Sequence, residues 1–283
     1  MKKIDKILVP TDFSNTAQKA CYYALWFADH YEAEIEMLNV IYPEAEPLDF
    51  PVMVTRMTQK KVEVSRTRMQ DFVKTHLAKV QVLHALKHDP KIEYDVEVGT
   101  PGRLIADVAR RDDVDLIIMG TQGEHSRIEQ IFGSVAMHSL NKAPCSLLIV
   151  PEHAQVERLD KVVYAVDLRE ADPYHIWELG KLLSPFNIIL RVVHVREKPN
   201  ENHPLSIGDL MQFFQEHAPT LQIEFQEIIG KRVTDELVEL TENWEADLLV
   251  MHKLERGFLE GLFHKSRTQE AALHASTPLL VLK

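Results

Sequence analysis

The chain has 283 residues, 45% of them hydrophobic and 27% charged, with a formal net charge of −11. That is an ordinary globular mix, long enough for two domains with a core each, and its acidity disfavours a nucleic-acid partner, which needs a basic face. Two distant cysteines (Cys21 and Cys145, no CxxC), a charged start without an apolar core and no apolar run near about 18 residues argue against a disulfide framework, secretion and membrane spanning, and for a cytoplasmic setting.

In chain order, apolar runs bounded by turn signals predict strands over 7–9, 34–40, 92–98, 116–119 and 146–150. Helical spacing predicts helices over 15–30, 52–79, 101–110 and 134–141. The long second helix carries Met53, Met57 and Met69, a stripe expected to serve as core or interface. Alternating β and α elements predict a parallel sheet with helices on both faces, and right-handed crossovers favour the strand order 3-2-1-4-5. The crevice of such a doubly wound, Rossmann-like sheet lies at the carboxyl ends of strands 1 and 4, where Asp12 and Gly120 stand.

The stretch that follows strand 4 is the most informative in the chain: Gly120-Thr121-Gln122-Gly123, nine residues, then Gly133-Ser134-Val135. Gly120 and Gly123 are expected to tolerate positive φ and a close ligand, and Ser134 to cap the helix that follows. Backbone N–H groups from a glycine-rich loop and a helix N-terminus form an anion site, most often for phosphate. Thr121 and Gln122 are further donors within the loop. Two readings stand for Asp12: a ligand for ribose or for the magnesium that accompanies phosphates, or a turn residue capping the first helix in competition with Ser14. Val40 ends strand 2 beside strand 1, and by itself it reads as a strand valine. No P-loop is present, and no G-x-G-x-x-G follows strand 1. His125 and His138 flank the loop without a visible orienting partner, so no designed catalysis is expected.

The spacing G-x2-G-x9-G-S between a strand and the closing run Pro144-Cys145-Ser146-Leu147-Leu148-Ile149-Val150 resembles the nucleotide loop of the universal stress protein family. Lys6-Ile7-Leu8-Val9-Pro10-Thr11-Asp12 is similar to that family's first strand, and Glu97-Val98-Gly99-Thr100-Pro101 to its third-strand exit. The resemblance implies ATP, carried with Mg2+ or Mn2+, at Pro10, Thr11, Asp12, Val40, Met119, Gly120, Thr121, Gln122, Gly123, Gly133, Ser134 and Val135. It also implies a role in stress adaptation, with the nucleotide gating an unidentified protein partner. A nucleotide-independent scaffold and a slow ATP hydrolase are the alternatives.

The pattern occurs twice. Lys6 to Asp12 recurs as Lys161 to Asp167, and Asp115 to Val150 recurs without a gap as Asp247 to Leu282, at a constant offset of 132. The expected domains are therefore 1–151 and 158–283, packed as a pseudo-dimer through their last apolar strands; a homodimer of tandem chains is compatible with this. In the second domain Gly120, Gly123 and Gly133 become His252, Glu255 and Lys265, while Ser134 remains as Ser266. This degenerate pocket is expected to bind ATP poorly. Its Asp167, His194, His252 and His264 form a candidate zinc set, with hydrogen-bonded or solvated histidines as the alternative.

Overall fold

The apolar run Lys6–Pro10 forms β1, the middle strand of the first of two units into which the chain divides, Ile4–Glu152 and His153–Lys283. The computed structural model describes residues 3–42, 51–84, 86–121, 133–155, 158–168, 173–197, 205–218, 221–252 and 277–283.

After β1 come α1 (Asn15–Tyr31), β2 (Glu34–Ile41), α2 (Pro51–His84), β3 (Ile92–Val98), α3 (Pro101–Arg111), β4 (Leu116–Gly120), α4 (Ser134–Lys142) and β5 (Ser146–Val150). The strands pair in parallel in the order β3-β2-β1-β4-β5. β1, β4 and β5 are buried almost throughout, as strands covered on both faces must be. The helix α1 begins where Ser14 Oγ accepts the Ala17 N–H at 3.3 Å and ends at Glu32, which takes the left-handed conformation (φ 54°). Expected to stop near residue 79, α2 continues to His84. Its buried stripe of Met69, Phe72, His76 and Val80 runs past that point at helical spacing, so packing carries the helix on.

The second unit repeats the plan with β6 (Lys161–Ala165), α5 (Pro173–Leu182), β7 (Ile189–Arg196), α6 (Ile207–His217), β8 (Ile223–Ile229), α7 (Val233–Asn243), β9 (Leu248–His252) and β10 (Leu279–Leu282). Its parallel order is β8-β7-β6-β9-β10. Where the first unit has the long α2, the second has only the short α6, started by a capping box between Ser206 and Asp209.

Each unit is tied at the amino ends of its strands by one aspartate. Asp115 Oδ2 accepts the N–H groups of Asp5 and Lys6 at 2.9 and 3.0 Å, and Asp247 Oδ2 accepts those of Asp160 and Lys161, both at 2.8 Å. At the opposite end the third-strand exit closes on the second strand, through Gly99 N–H to Ile41 O (2.9 Å) and Gly230 N–H to Arg196 O (3.1 Å). Neither Cys21 nor Cys145 forms a disulfide, and burial pushes the Cys21 thiol up to about 12. No helix among the described residues is long and apolar enough to cross a membrane.

Candidate functional site

The exit of β1 in the first unit is held by its own side chains. Pro10 is buried, and Thr11 donates its N–H to Leu38 O at 2.9 Å. The Thr11 hydroxyl accepts the Phe13 N–H at 3.0 Å, and Asp12 Oδ1 accepts the Ser14 N–H at 3.1 Å. Between them Phe13 sits at φ 67°, a left-handed conformation that is strained for an aromatic residue. The capping of α1 falls to Ser14, and Asp12 stands half-buried at the mouth of the crevice.

Even-numbered residues of β2 turn their peptide groups toward β1, as Glu34 N–H to Asp5 O and Leu38 O to Thr11 N–H show; odd-numbered ones turn them toward β3. Val40 is even-numbered, so its peptide groups face the space beyond Pro10, where β1 has ended.

At β4 the structure corrects two expectations. None of the described glycines has a positive φ, so backbone freedom is not what Gly120 supplies. A Cβ on Gly120 would lie 2.7 Å from Thr16 Oγ1 and 2.8 Å from the Thr16 carbonyl carbon. The residue is glycine because the first turn of α1 presses against the strand end. Nor does Ser134 cap α4. The cap is Gly133 (φ −65°, ψ 158°), with Ser134 the first helical residue and exposed. Gly133 is extended there, and its N–H is bonded to Thr121 O at 2.8 Å.

Thr121 in turn donates its N–H to Val150 O at 3.1 Å, so it prolongs the strand pairing and its backbone is not a phosphate donor. Met119 is a buried strand residue opposite Ile149. The Gly133 cap has no side chain to bond the first turn, and the first helical bond is Met137 N–H to Gly133 O at 3.1 Å. The amides of Ser134, Val135 and Ala136 thus point out of the helix without an intrahelical partner, at its positive end. His138, on the same helix, lies against Gly102 of α3, where a Cβ would come within 2.7 Å of it. Gln122, Gly123 and His125 lie outside the described residues.

In the second unit three members of the candidate metal set, Asp167, His194 and His252, are described, and they form no metal-holding group. His194 is buried, and its Nδ1 bonds Val166 O at 3.1 Å. That is the place and the job of Asn39 in the first unit, whose Nδ2 donates to Thr11 O at 2.7 Å. Each locks the second strand to the residue leaving the first, so His194 is a structural clasp. His252 ends β9, with its ring centroid 4.5 Å from that of His175. Asp167 stands half-buried beyond β6. Among the described residues no group of three or more His, Cys, Asp or Glu is placed to hold a metal ion, and His264, Glu255, Lys265 and Ser266 lie outside them.

Sequence reasoning passed over Asn39, Thr16 and Ser65. For Asn39 a signal existed: the offset of 155 that relates Lys6 to Lys161 also relates Asn39 to His194.

The sequence profile of the Universal stress protein family matches the chain twice, over residues 3–151 and 158–283. Universal stress protein Sll1388 of Synechocystis is 26% identical over 153 residues, 51% of this chain and 96% of the relative. Universal stress protein MJ0577 of Methanocaldococcus jannaschii is 30% identical over 152 residues, 51% of this chain and 93% of the relative. A universal stress protein structure from Archaeoglobus fulgidus superposes with a TM-score of 0.70 at 17% identity, covering 99% of this chain and 97% of its own. Two tandem doubly wound units, each matched by the family profile, make this chain a member of the universal stress protein family.

Proposed function

We propose that the first unit binds ATP, that the second does not, and that the bound nucleotide regulates how the chain engages a protein partner during stress adaptation. The observation that supports this reading is the N-terminus of α4, where the amides of Ser134 and Val135 have no intrahelical partner and the Gly133–Thr121–Val150 bonds tie the helix start to the ends of β4 and β5. The amides of Ser134 and Val135 would take phosphate oxygens, favoured by the helix dipole. Val40 would offer its peptide groups to the adenine, and Asp12 a carboxylate to the ribose or to Mg2+ or Mn2+ carried by the phosphates. A phosphate-bound divalent ion neutralises charge here. The reading is of nucleotide binding, and no catalytic residue is assigned.

Denaturing the purified protein and weighing the released ligand should give ATP or ADP. Calorimetry should give one site per chain, and Gly133→Asp, which sets a carboxylate at the α4 cap, should weaken binding by at least about 100-fold. Two equivalent sites, or unchanged affinity in Gly133→Asp, would overturn the assignment.

A further inference from the structure

Ser65 on α2 is buried, and its hydroxyl donates to Asn39 Oδ1 at 2.6 Å. Asn39, also buried, passes the contact on through Nδ2 to Thr11 O at 2.7 Å. A continuous polar path therefore runs from α2 through β2 to the residue preceding Asp12. Two more residues on the same face of α2 reach the same loop. The Arg68 guanidinium lies 4.4 Å from the centre of the Phe13 ring, and Phe72 meets that ring edge-on at 5.5 Å. Positions 65, 68 and 72 are spaced three and four apart, so about two turns of α2 grip the β1 exit at three points.

What is gripped is the strained part of the loop. Phe13 holds its left-handed conformation only while its surroundings over-determine it. Thr11 supplies one restraint from within the loop, through its hydroxyl, and α2 supplies the others. Between the fixed residues stands Asp12, whose carboxylate already orders the Ser14 amide. A loop set in advance costs a ligand less to order than one that must be set on binding.

The second unit marks what is particular to the first. His194 keeps the strand clasp, but Val166 replaces Thr11 and has no hydroxyl with which to restrain the turn. The helix α6 has eleven residues where α2 has thirty-four.

We propose that Asn39 and Ser65 are positioning residues for the first-unit crevice, and that through them nucleotide affinity and the seating of α2 are linked. Linkage is reciprocal: if seated α2 favours nucleotide, then nucleotide favours seated α2 by the same factor. The long helix is thereby the element through which occupancy is read at the surface. This rests on the ATP reading above for the identity of the ligand, while the coupling of α2 to the loop can be measured without any ligand.

The test uses the full chain and three variants: Ser65→Ala removes the hydroxyl, Ser65→Thr retains it, and Asn39→Asp keeps the acceptor for Ser65 but loses the donor to Thr11 O. In ligand-free protein, amide exchange at Phe13 and Ser14 should quicken about tenfold in Ser65→Ala and in Asn39→Asp, with Ser65→Thr near the parent. Amides near the end of α1, such as Ala28, should not change. On adding Mg2+ and ATP, α2 amides from Ser65 to Val80 should gain protection in the parent, and Ser65→Ala should bind about tenfold more weakly, restored by Ser65→Thr. Unchanged Phe13 and Ser14 exchange in both disrupting variants overturns the proposal, whatever ATP does. If the loop responds but the parent binds no ATP, the ligand assignment fails and the coupling stands.

Discussion

The two units set the same strands in the same order, yet they finish the fourth strand differently. In the first, β4 ends on Gly120, and Thr16 of α1 lies where a side chain would have to go. In the second, β9 ends on His252, whose ring packs on His175. The difference teaches that a glycine at a strand end can answer to packing before it answers to any ligand. With Gly120 the first turn of α1 closes down on the strand end and fixes the shape of the crevice. With a histidine in that place the neighbouring helix meets a side chain instead.

The sharpest way to break this comparison is to give the first unit the residue of the second. Gly120→His should drive α1 off the strand end, destabilise the protein by about 1–3 kcal/mol and remove nucleotide binding. Denaturant unfolding and ATP titration check both effects. A variant as stable as the parent would mean that the contact with Thr16 is not what requires glycine.

A middle-sized effect is expected where the units agree. Asp115→Ala and Asp247→Ala each strip two backbone amides of their acceptor, so each should cost about 1–3 kcal/mol, and by similar amounts. Unfolding of the two variants side by side would expose any hidden inequality between the units.

The smallest effect separates them again. His76 belongs to α2, whose counterpart in the second unit is too short to supply such a residue. Its Nδ1 bonds Phe72 O at 2.7 Å, and its ring lies against Phe72 and Tyr22. Burial, aided by the charge of Lys79 and opposed by the Phe72 carbonyl, holds its pKa below the ordinary 6.5. The unfolded chain therefore binds the proton more readily. The contribution of His76 is complete above about pH 6.5 and is lost as the pH falls through the lower folded value. Between about pH 7 and pH 5 the parent should lose stability that His76→Leu retains, as denaturant midpoints at the two pH values would reveal.

Much of the fold was legible because its signals are local. Short apolar runs bounded by turns marked β1, β4 and β5, and Ser14 marked the start of α1. The site was legible in its place but not in its roles. Ser134 reads as a cap by residue type, yet the last extended residue before the helix is Gly133, whose N–H is bonded to the distant Thr121 O. Gly120 reads as a ligand glycine, yet the atoms that demand it belong to Thr16, which is remote in the chain. Position at a strand end beside Asp167, His252 and His264 offered His194 as a metal ligand or a hydrogen-bonded histidine, and the paired strands show the hydrogen bond, a clasp in the place of Asn39. Each of these contacts joins residues that no local pattern relates.

The aspartate at the head of β4 bears on how this chain comes to be folded. Asp115 grips the amides of Asp5 and Lys6 across 110 residues of sequence. β1 lies between β2 and β4, so during synthesis one of its edges stays unpaired until Asp115 and the strand behind it leave the ribosome. At about 5–20 residues per second that is an interval of about 5–20 s, in which an apolar strand waits with an open flank. The second unit repeats the wait over 87 residues, from Asp160 to Asp247, after the first has had its own chance to close. A tandem chain built this way passes through two periods of exposure in succession rather than one long one.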